Sequence, residues 1–200
     1  MLGRADLKWA LGISVWLTAV LAGFGALLNY KAIAGSPGHA APEWPAQASV
    51  TRSTQGPTLV LFAHPRCPCT RATVSELARL VARHPQVSVR ALFLRPEGFE
   101  EDWEKTDLWT TVAGIPGGVP IADDSGAISK RFGAETSGQV MLFDANGRLV
   151  FDGGLTPSRG HEGESDGQRR IHELLMTGAT DRRESPVYGC ALGFTETPDS

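Results

Sequence analysis

The sequence predicts one α/β domain that follows a single apolar N-terminal helix. Three features predict it: an apolar run at residues 9–28, a strand-turn-helix pattern at 58–83, and a later β-hairpin followed by a helix. A chain of 200 residues with 42% hydrophobic content can bury one proper core but not two. The expected organisation is a cytoplasmic N-terminus (1–8), a transmembrane anchor (9–30), a flexible linker (31–57), the folded domain (58–178) and a C-terminal tail (179–200).

The charge and cysteine content excludes two classes of protein. The 22 acidic and 19 basic residues give a net charge of -3, and no basic cluster is longer than a pair. Nucleic-acid binding therefore has no electrostatic support. Three cysteines are too few for a small disulfide-stapled scaffold, and an odd count leaves at least one thiol unpaired, exchanging or metal-bound.

The apolar run is long enough to cross a membrane. Residues 9–28 contain no charge and no proline, and a spanning helix needs about 20 such residues. Arg4 and Lys8 precede the run, which predicts that the N-terminus stays in the cytoplasm. The alternative is a signal peptide cleaved at the A-x-A sequence of residues 32–34, but Lys31 fits that cleavage region poorly. Either interpretation exports the domain to a compartment, the periplasm in bacteria, that permits disulfides.

Residues 34–57 are rich in Pro, Ala, Gly and Ser and show no periodicity, which is typical of a flexible tether that its prolines stiffen. The following six residues, 58–63, form an uninterrupted apolar run that predicts a buried strand. After a turn at 64–66, apolar residues recur at helical spacing, which predicts a helix at about 68–83.

Two cysteines lie where this strand turns into the helix. Pro68 suits a first helical turn, where its missing N–H lacks an intrahelical partner anyway, so Cys67 lies at the helix entrance. The helix dipole, the free backbone N–H groups and the adjacent Arg66 all favour the thiolate of Cys67. Cys69 is close enough to resolve a bond that Cys67 forms.

The remaining elements complete an α/β succession. Residues 87–94 predict a second strand parallel to the first, and tryptophans 103 and 109 supply core or groove walls in a loop and helix at 95–118. A short strand at 119–122, a helix that Asp124 or Ser125 caps, a hairpin at 139–154 and a last helix around 171–175 follow.

This order, with a cysteine motif after the first central strand, resembles the thioredoxin fold, in particular the membrane-tethered TlpA-like and RedB-like proteins. The RedB likeness is the closer one, through FAHPRCPCTRAT, RFGAETSGQ, SRGHEGES and SPVYGCAL. The resemblance implies a thioredoxin-like three-layer sandwich, a central mixed sheet with helices on both faces, and a redox role. Two departures are that the motif is C-x-C and not C-x-x-C, and that no proline occurs near Gly138, where the family has its cis-proline.

Several further residues are candidates for the site. In the resembled fold the loop at 153–163 lies beside Cys67, which brings Arg159 and His161 within reach. His64 precedes Cys67 by three residues, and both histidines can instead be ordinary exposed or strand-end residues. Cys190 can act as a resolving thiol or a third ligand, or it can be a small buried hydrophobic residue.

Three functions remain open. The first is a periplasm-facing thiol-disulfide oxidoreductase without cofactor that acts on protein thiols and disulfides: Cys67 is the nucleophile, Cys69 or Cys190 resolves, and His64, Arg66, Pro68, Gly138 and His161 support them. The second is a protein that binds or delivers Cu(I) or Zn(II) through Cys67, Cys69 and His64, with His161 or Cys190. The third is a non-catalytic interaction domain with one fixed disulfide.

Overall fold

The computed structural model describes residues 4–193, and it describes their side chains from residue 8 onward. Two compact units are present, Met1–Ile33 and Ala34–Ser200, and each is treated by itself. The first three residues of the predicted cytoplasmic N-terminus and residues 194–200 of the predicted tail lie outside the described residues.

The first unit is a single helix, α1 (Arg4–Ala32). Its 25 residues Lys8–Ala32 contain an 18-residue stretch with a mean hydropathy of 2.0 and are long and apolar enough to cross a membrane. A signal sequence near the N-terminus has the same properties. The retained anchor therefore stays a prediction.

The second unit is built on a five-stranded sheet in the order β3-β2-β1-β4-β5. The strands are β1 (Thr58–Ala63), β2 (Ser88–Arg95), β3 (Gly118–Asp124), β4 (Gln139–Phe143) and β5 (Leu149–Gly154). The central strand β1 pairs in parallel with β2 and antiparallel with β4, and β3 and β5 extend the two sides. The predicted parallel pair and the predicted hairpin are thus confirmed.

Helices cover both faces of the sheet. They are α2 (Pro68–Arg83), α3 (Asp107–Ala113), α4 (Ala127–Phe132) and α5 (Asp166–Thr177). One core contains side chains of α2, α3 and α5, and the other contains side chains of α4. Strand β1 is uniformly apolar because both of its faces are buried. Leu59 and Leu61 enter the first core, while Val60 and Phe62 enter the second. The expected thioredoxin-like three-layer sandwich is confirmed.

The stretch before β1 is not a free tether. The backbone N–H of Trp44 donates to the Gly147 carbonyl at 2.7 Å, and the Trp44 indole packs edge-on against Phe132 and Phe143. Val50 is only 4% exposed in the second core. The prediction of a flexible linker is therefore wrong for residues 35–50, because apolar side chains hidden among its prolines and glycines have a core to join.

The cap of α4 also differs from the prediction. Neither Asp124 nor Ser125 accepts the first N–H groups of the helix; the buried Asp123 does so, from Ile128 at 2.7 Å and from Ser129 at 2.9 Å. Burial raises the pKa of the Asp123 carboxyl, and these hydrogen bonds oppose that rise. The capping residue therefore comes from the end of β3.

The described part of the predicted tail is ordered by backbone pairing. Asp152 of β5 forms a parallel bridge with Glu184, and Thr136 forms an antiparallel bridge with Ala191. Leu192 is 2% exposed and belongs to the second core. This pairing fixes the position of Cys190, which lies between the two anchored ends.

Candidate functional site

Cys67 occupies the N-cap of α2, directly after the turn that ends β1. Its φ and ψ of -89° and 126° are extended, and Pro68 begins the helix behind it. The Cys67 N–H donates to the His64 carbonyl at 3.1 Å, which closes the turn. The predicted position at a helix entrance is the one that the structure shows.

The C-terminal segment brings Cys190 to Cys67. The Ser137 N–H donates to the Cys190 carbonyl at 2.8 Å, and the Leu192 N–H donates to the Glu135 carbonyl at 2.9 Å. These two bonds lay the segment along residues 135–137 as a short antiparallel partner. As a result the Sγ atoms of Cys67 and Cys190 are 3.5 Å apart.

Hydrogen bonds to its sulfur lower the pKa of Cys67 to about 4, with the Cys69 thiol as the main donor. The backbone amides of Thr70 and Cys190 and the Cys190 thiol add to this effect, while burial opposes it. The Cys67 side chain nevertheless accepts no regular N-capping hydrogen bond from the first backbone N–H groups of α2. The hydrogen bonds to its sulfur therefore favour the thiolate of Cys67 over its thiol at neutral pH.

The two neighbouring thiols hold their protons. The pKa of Cys69 is raised, mainly because its S–H donates to Cys67 and also because it is buried. Burial raises the pKa of Cys190, and its hydrogen bond to Cys67 acts in the same direction. One thiolate thus lies between two protonated thiols.

The three cysteines differ in exposure as whole residues. Cys67 and Cys69 are 5% and 6% exposed, whereas Cys190 is exposed. The ionised sulfur thus belongs to a buried residue, and one of the protonated sulfurs belongs to an exposed residue. No disulfide joins them in this structure.

Aromatic and basic side chains form one wall of the site. The guanidinium of Arg66 lies 4.9 Å from the ring centre of Trp103, and the His64 ring meets the same indole edge-on at 5.7 Å. Burial lowers the pKa of His64, and the negative charge of Cys67 opposes this shift. The Nδ1 atom of His64 accepts a hydrogen bond from the Arg66 backbone N–H at 3.2 Å. Trp103 therefore packs against residues that precede Cys67, while Trp109 packs against the first core.

Ser137 is a site residue that the sequence did not identify. Its Oγ accepts the His64 N–H at 2.8 Å and lies 2.6 Å from the Thr70 Oγ1, so it ties β1, α2 and the loop before β4 together. Gly138 beside it has φ +90° and donates its N–H to the Phe62 carbonyl at 2.7 Å. The backbone of Gly138 therefore approaches the end of β1. No cis peptide bond occurs among residues 4–193.

The loop after β5 lies beside the cysteines, as expected. The Gly160 amide acts on the Cys69 sulfur, and Arg159 donates to the Gly189 carbonyl, next to Cys190. His161 is exposed, and its Nδ1 contacts the Arg159 carbonyl at 2.7 Å. Within residues 8–193 it makes no hydrogen bond to any of the three sulfurs. Its predicted supporting role is therefore not backed by a direct contact with the cysteines.

The described side chains form no group of three or more His, Cys, Asp or Glu residues arranged to hold a metal ion. His64, proposed as a ligand, uses its Nδ1 within its own turn. The arrangement is a thiolate with two thiol donors, and such a set can form and exchange disulfides.

No known protein family and no curated protein matches the chain. A hypothetical protein from Sinorhizobium meliloti 1021 matches its structure with a TM-score of 0.59 and 19% identity, over 83% of this chain and 98% of that one. An uncharacterised conserved protein from Geobacillus kaustophilus matches with a TM-score of 0.59 and 20% identity, over 85% of this chain and 96% of that one. A thioredoxin-like protein from Aeropyrum pernix matches with a TM-score of 0.46 and 11% identity, over 82% of this chain and 99% of that one. At these identities the likeness concerns the fold.

Proposed function

We propose that this chain is a thiol-disulfide oxidoreductase whose redox couple is Cys67 and Cys190. The observation that carries the proposal is the 3.5 Å separation of their Sγ atoms. A disulfide bond is about 2.05 Å long, so bridging them requires a closure of only about 1.5 Å. Cys67 supplies the thiolate that this chemistry needs.

The low pKa of Cys67 favours disulfide donation. A stabilised thiolate stabilises the reduced form of the chain and makes its disulfide a stronger oxidant. A partner dithiol then gives two electrons to the Cys67–Cys190 bridge and leaves as a disulfide. A second disulfide compound takes those electrons when the chain is re-oxidised.

Cys69 assists in this proposal and is not half of the couple. Its S–H is the strongest influence that keeps Cys67 ionised. A Cys67–Cys69 bridge would close a tight ring across the single residue Pro68, with unfavourable disulfide geometry. The C-x-C motif therefore works here as one redox sulfur and one hydrogen-bond donor.

The proposal extends to the place of action. Residues Lys8–Ala32 would anchor the chain in the inner membrane, and Arg4 and Lys8 would keep the N-terminus in the cytoplasm. The domain would then act on protein thiols and disulfides in the periplasm, as a RedB-like member of the thioredoxin superfamily. Copper or zinc delivery stays the alternative, and no group of three or more metal-ligating residues among the described side chains supports it.

The reduction potential of the full-length chain in detergent tests this function. We expect equilibration with glutathione mixtures to give about -180 to -120 mV, because the reduced form contains a stabilised thiolate. The fraction of protein with blocked thiols, measured by mass after alkylation, reports the equilibrium. A value below about -300 mV would identify an inert structural disulfide, and the absence of any bridge would rule out the couple.

A further inference from the structure

We propose that Cys190 is the sulfur that bonds to the partner and that Cys67 is the sulfur that leaves. This reverses the roles expected from the sequence, in which Cys67 meets the substrate and Cys190 resolves. The inference rests on the proposed function and specifies its site of entry. It also specifies the partner: a protein that presents a cysteine in the groove beside Cys190.

Cys190 is the more exposed of the two bridged cysteines. A thiolate must approach a disulfide along the axis of the S–S bond and reach the sulfur that it attacks. As a whole residue Cys190 is exposed, whereas Cys67 is only 5% exposed. In a Cys67–Cys190 bridge, Cys190 is thus the half that an outside thiolate can reach.

The surroundings of Cys67 make it the better leaving sulfur. A disulfide breaks faster when the departing sulfur is the better-stabilised thiolate. Around Cys67 the thiol of Cys69 and the backbone amide of Thr70 support a negative charge. Attack at Cys190 sends that charge to the sulfur whose surroundings already accept it.

A cation and a groove lie next to Cys190. Arg159 is held beside Cys190 by its bond to the Gly189 carbonyl, and its charge acts on the Cys190 sulfur. An incoming thiolate is attracted by the same charge. A groove of about 820 Å³ is lined by both neighbours of Cys190, Gly189 and Ala191, and by the charged side chains of Lys130, Glu135 and Arg159. A groove at this position leaves room for the segment of a partner that presents its thiol to Cys190.

Two successive thiolate attacks complete the exchange. The partner thiolate forms a bond to the Cys190 sulfur, the Cys67–Cys190 bond breaks, and its electron pair stays on Cys67. The partner's second thiol, as thiolate, then attacks the partner sulfur and expels Cys190, which takes up a proton. The partner is oxidised by two electrons and the chain is reduced by two.

The test uses full-length chain in detergent, oxidised to its bridged form and carrying Cys69→Ser to prevent shuffling. Glutathione, or an unstructured peptide with one cysteine, is added, and the reaction is stopped early with acid. Trypsin separates residues 67–71 from residues 184–200. We expect the mixed disulfide on 184–200 to exceed that on 67–71 roughly tenfold or more.

A variant of the groove supplies a second readout. Ala191→Trp fills space beside Cys190 from an exposed position, so attack by the peptide should slow more than attack by glutathione. An adduct mainly on residues 67–71, or no adduct at all, overturns the inference while a measurable redox couple leaves the proposed function standing. If the bridge never forms, both proposals fail together.

Discussion

Replacing Cys67 with serine is expected to abolish disulfide exchange by this chain. A hydroxyl cannot form a disulfide, and burial, which does not depend on Cys67, still raises the pKa of the two remaining thiols. An ordinary thiol of pKa about 8.5 is only about 3% ionised at pH 7, so the variant also loses the site's one ready thiolate. The rate at which the full-length protein oxidises a reduced dithiol peptide in a glutathione buffer checks this, and we expect Cys67→Ser to fall to the rate of buffer alone.

Matched variants of the other cysteines separate the possible couples. Cys190→Ser should be as inactive as Cys67→Ser, because the bridge loses its second sulfur. Cys69→Ser should keep most of the activity since its hydroxyl still donates to Cys67, whereas Cys69→Ala should lose more because the pKa of Cys67 then rises. Full activity in Cys190→Ser together with none in Cys69→Ser would instead make the C-x-C pair the redox couple.

Replacing Trp44 with alanine is expected to destabilise the domain by about 2–3 kcal/mol, somewhat less than a fully buried tryptophan would cost. The variant removes the edge-on contacts with Phe132 and Phe143 and the indole hydrogen bond to the Val50 carbonyl. For a domain of this size the midpoint of thermal unfolding should fall by about 4–12 °C. Circular dichroism of the full-length protein during heating measures the change.

Gln47→Ala is the control for this prediction, because Gln47 lies in the same stretch with an exposed side chain. Its effect should stay within about 0.5 kcal/mol. If Trp44→Ala unfolds at the same temperature as Gln47→Ala, residues 35–50 act as a tether after all.

Local sequence signals were sufficient wherever one segment determines its own conformation. The run at Thr58–Ala63 has every side chain buried, and Pro68 together with helical spacing set both ends of α2 at Pro68 and Arg83. The hairpin was predicted at 139–154, and the Asn-Gly pair at 146–147, a strong turn former, lies between its two strands. The position of Cys67 follows from these same signals, because it is the residue between a strand end and a helix start.

The parts that the sequence did not predict depend on contacts between distant segments. Trp44 lies in a stretch without periodicity, and only the second core shows why it is held. Cys190 is 123 positions from Cys67, and its approach depends on backbone bonds to residues 135–137 that no side-chain pattern announces. Ser137 was missed for the same reason, since its partners His64 and Thr70 belong to other elements.

Mapping the disulfide of the oxidised full-length chain tests the central claim most directly. Trypsin releases Cys67 and Cys69 together in residues 67–71 and releases Cys190 in residues 184–200. We predict that mild oxidation links these two peptides, and that the link persists in Cys69→Ser and disappears in Cys67→Ser. A bridge inside residues 67–71, with the Cys190 thiol still free to be alkylated, would contradict the account.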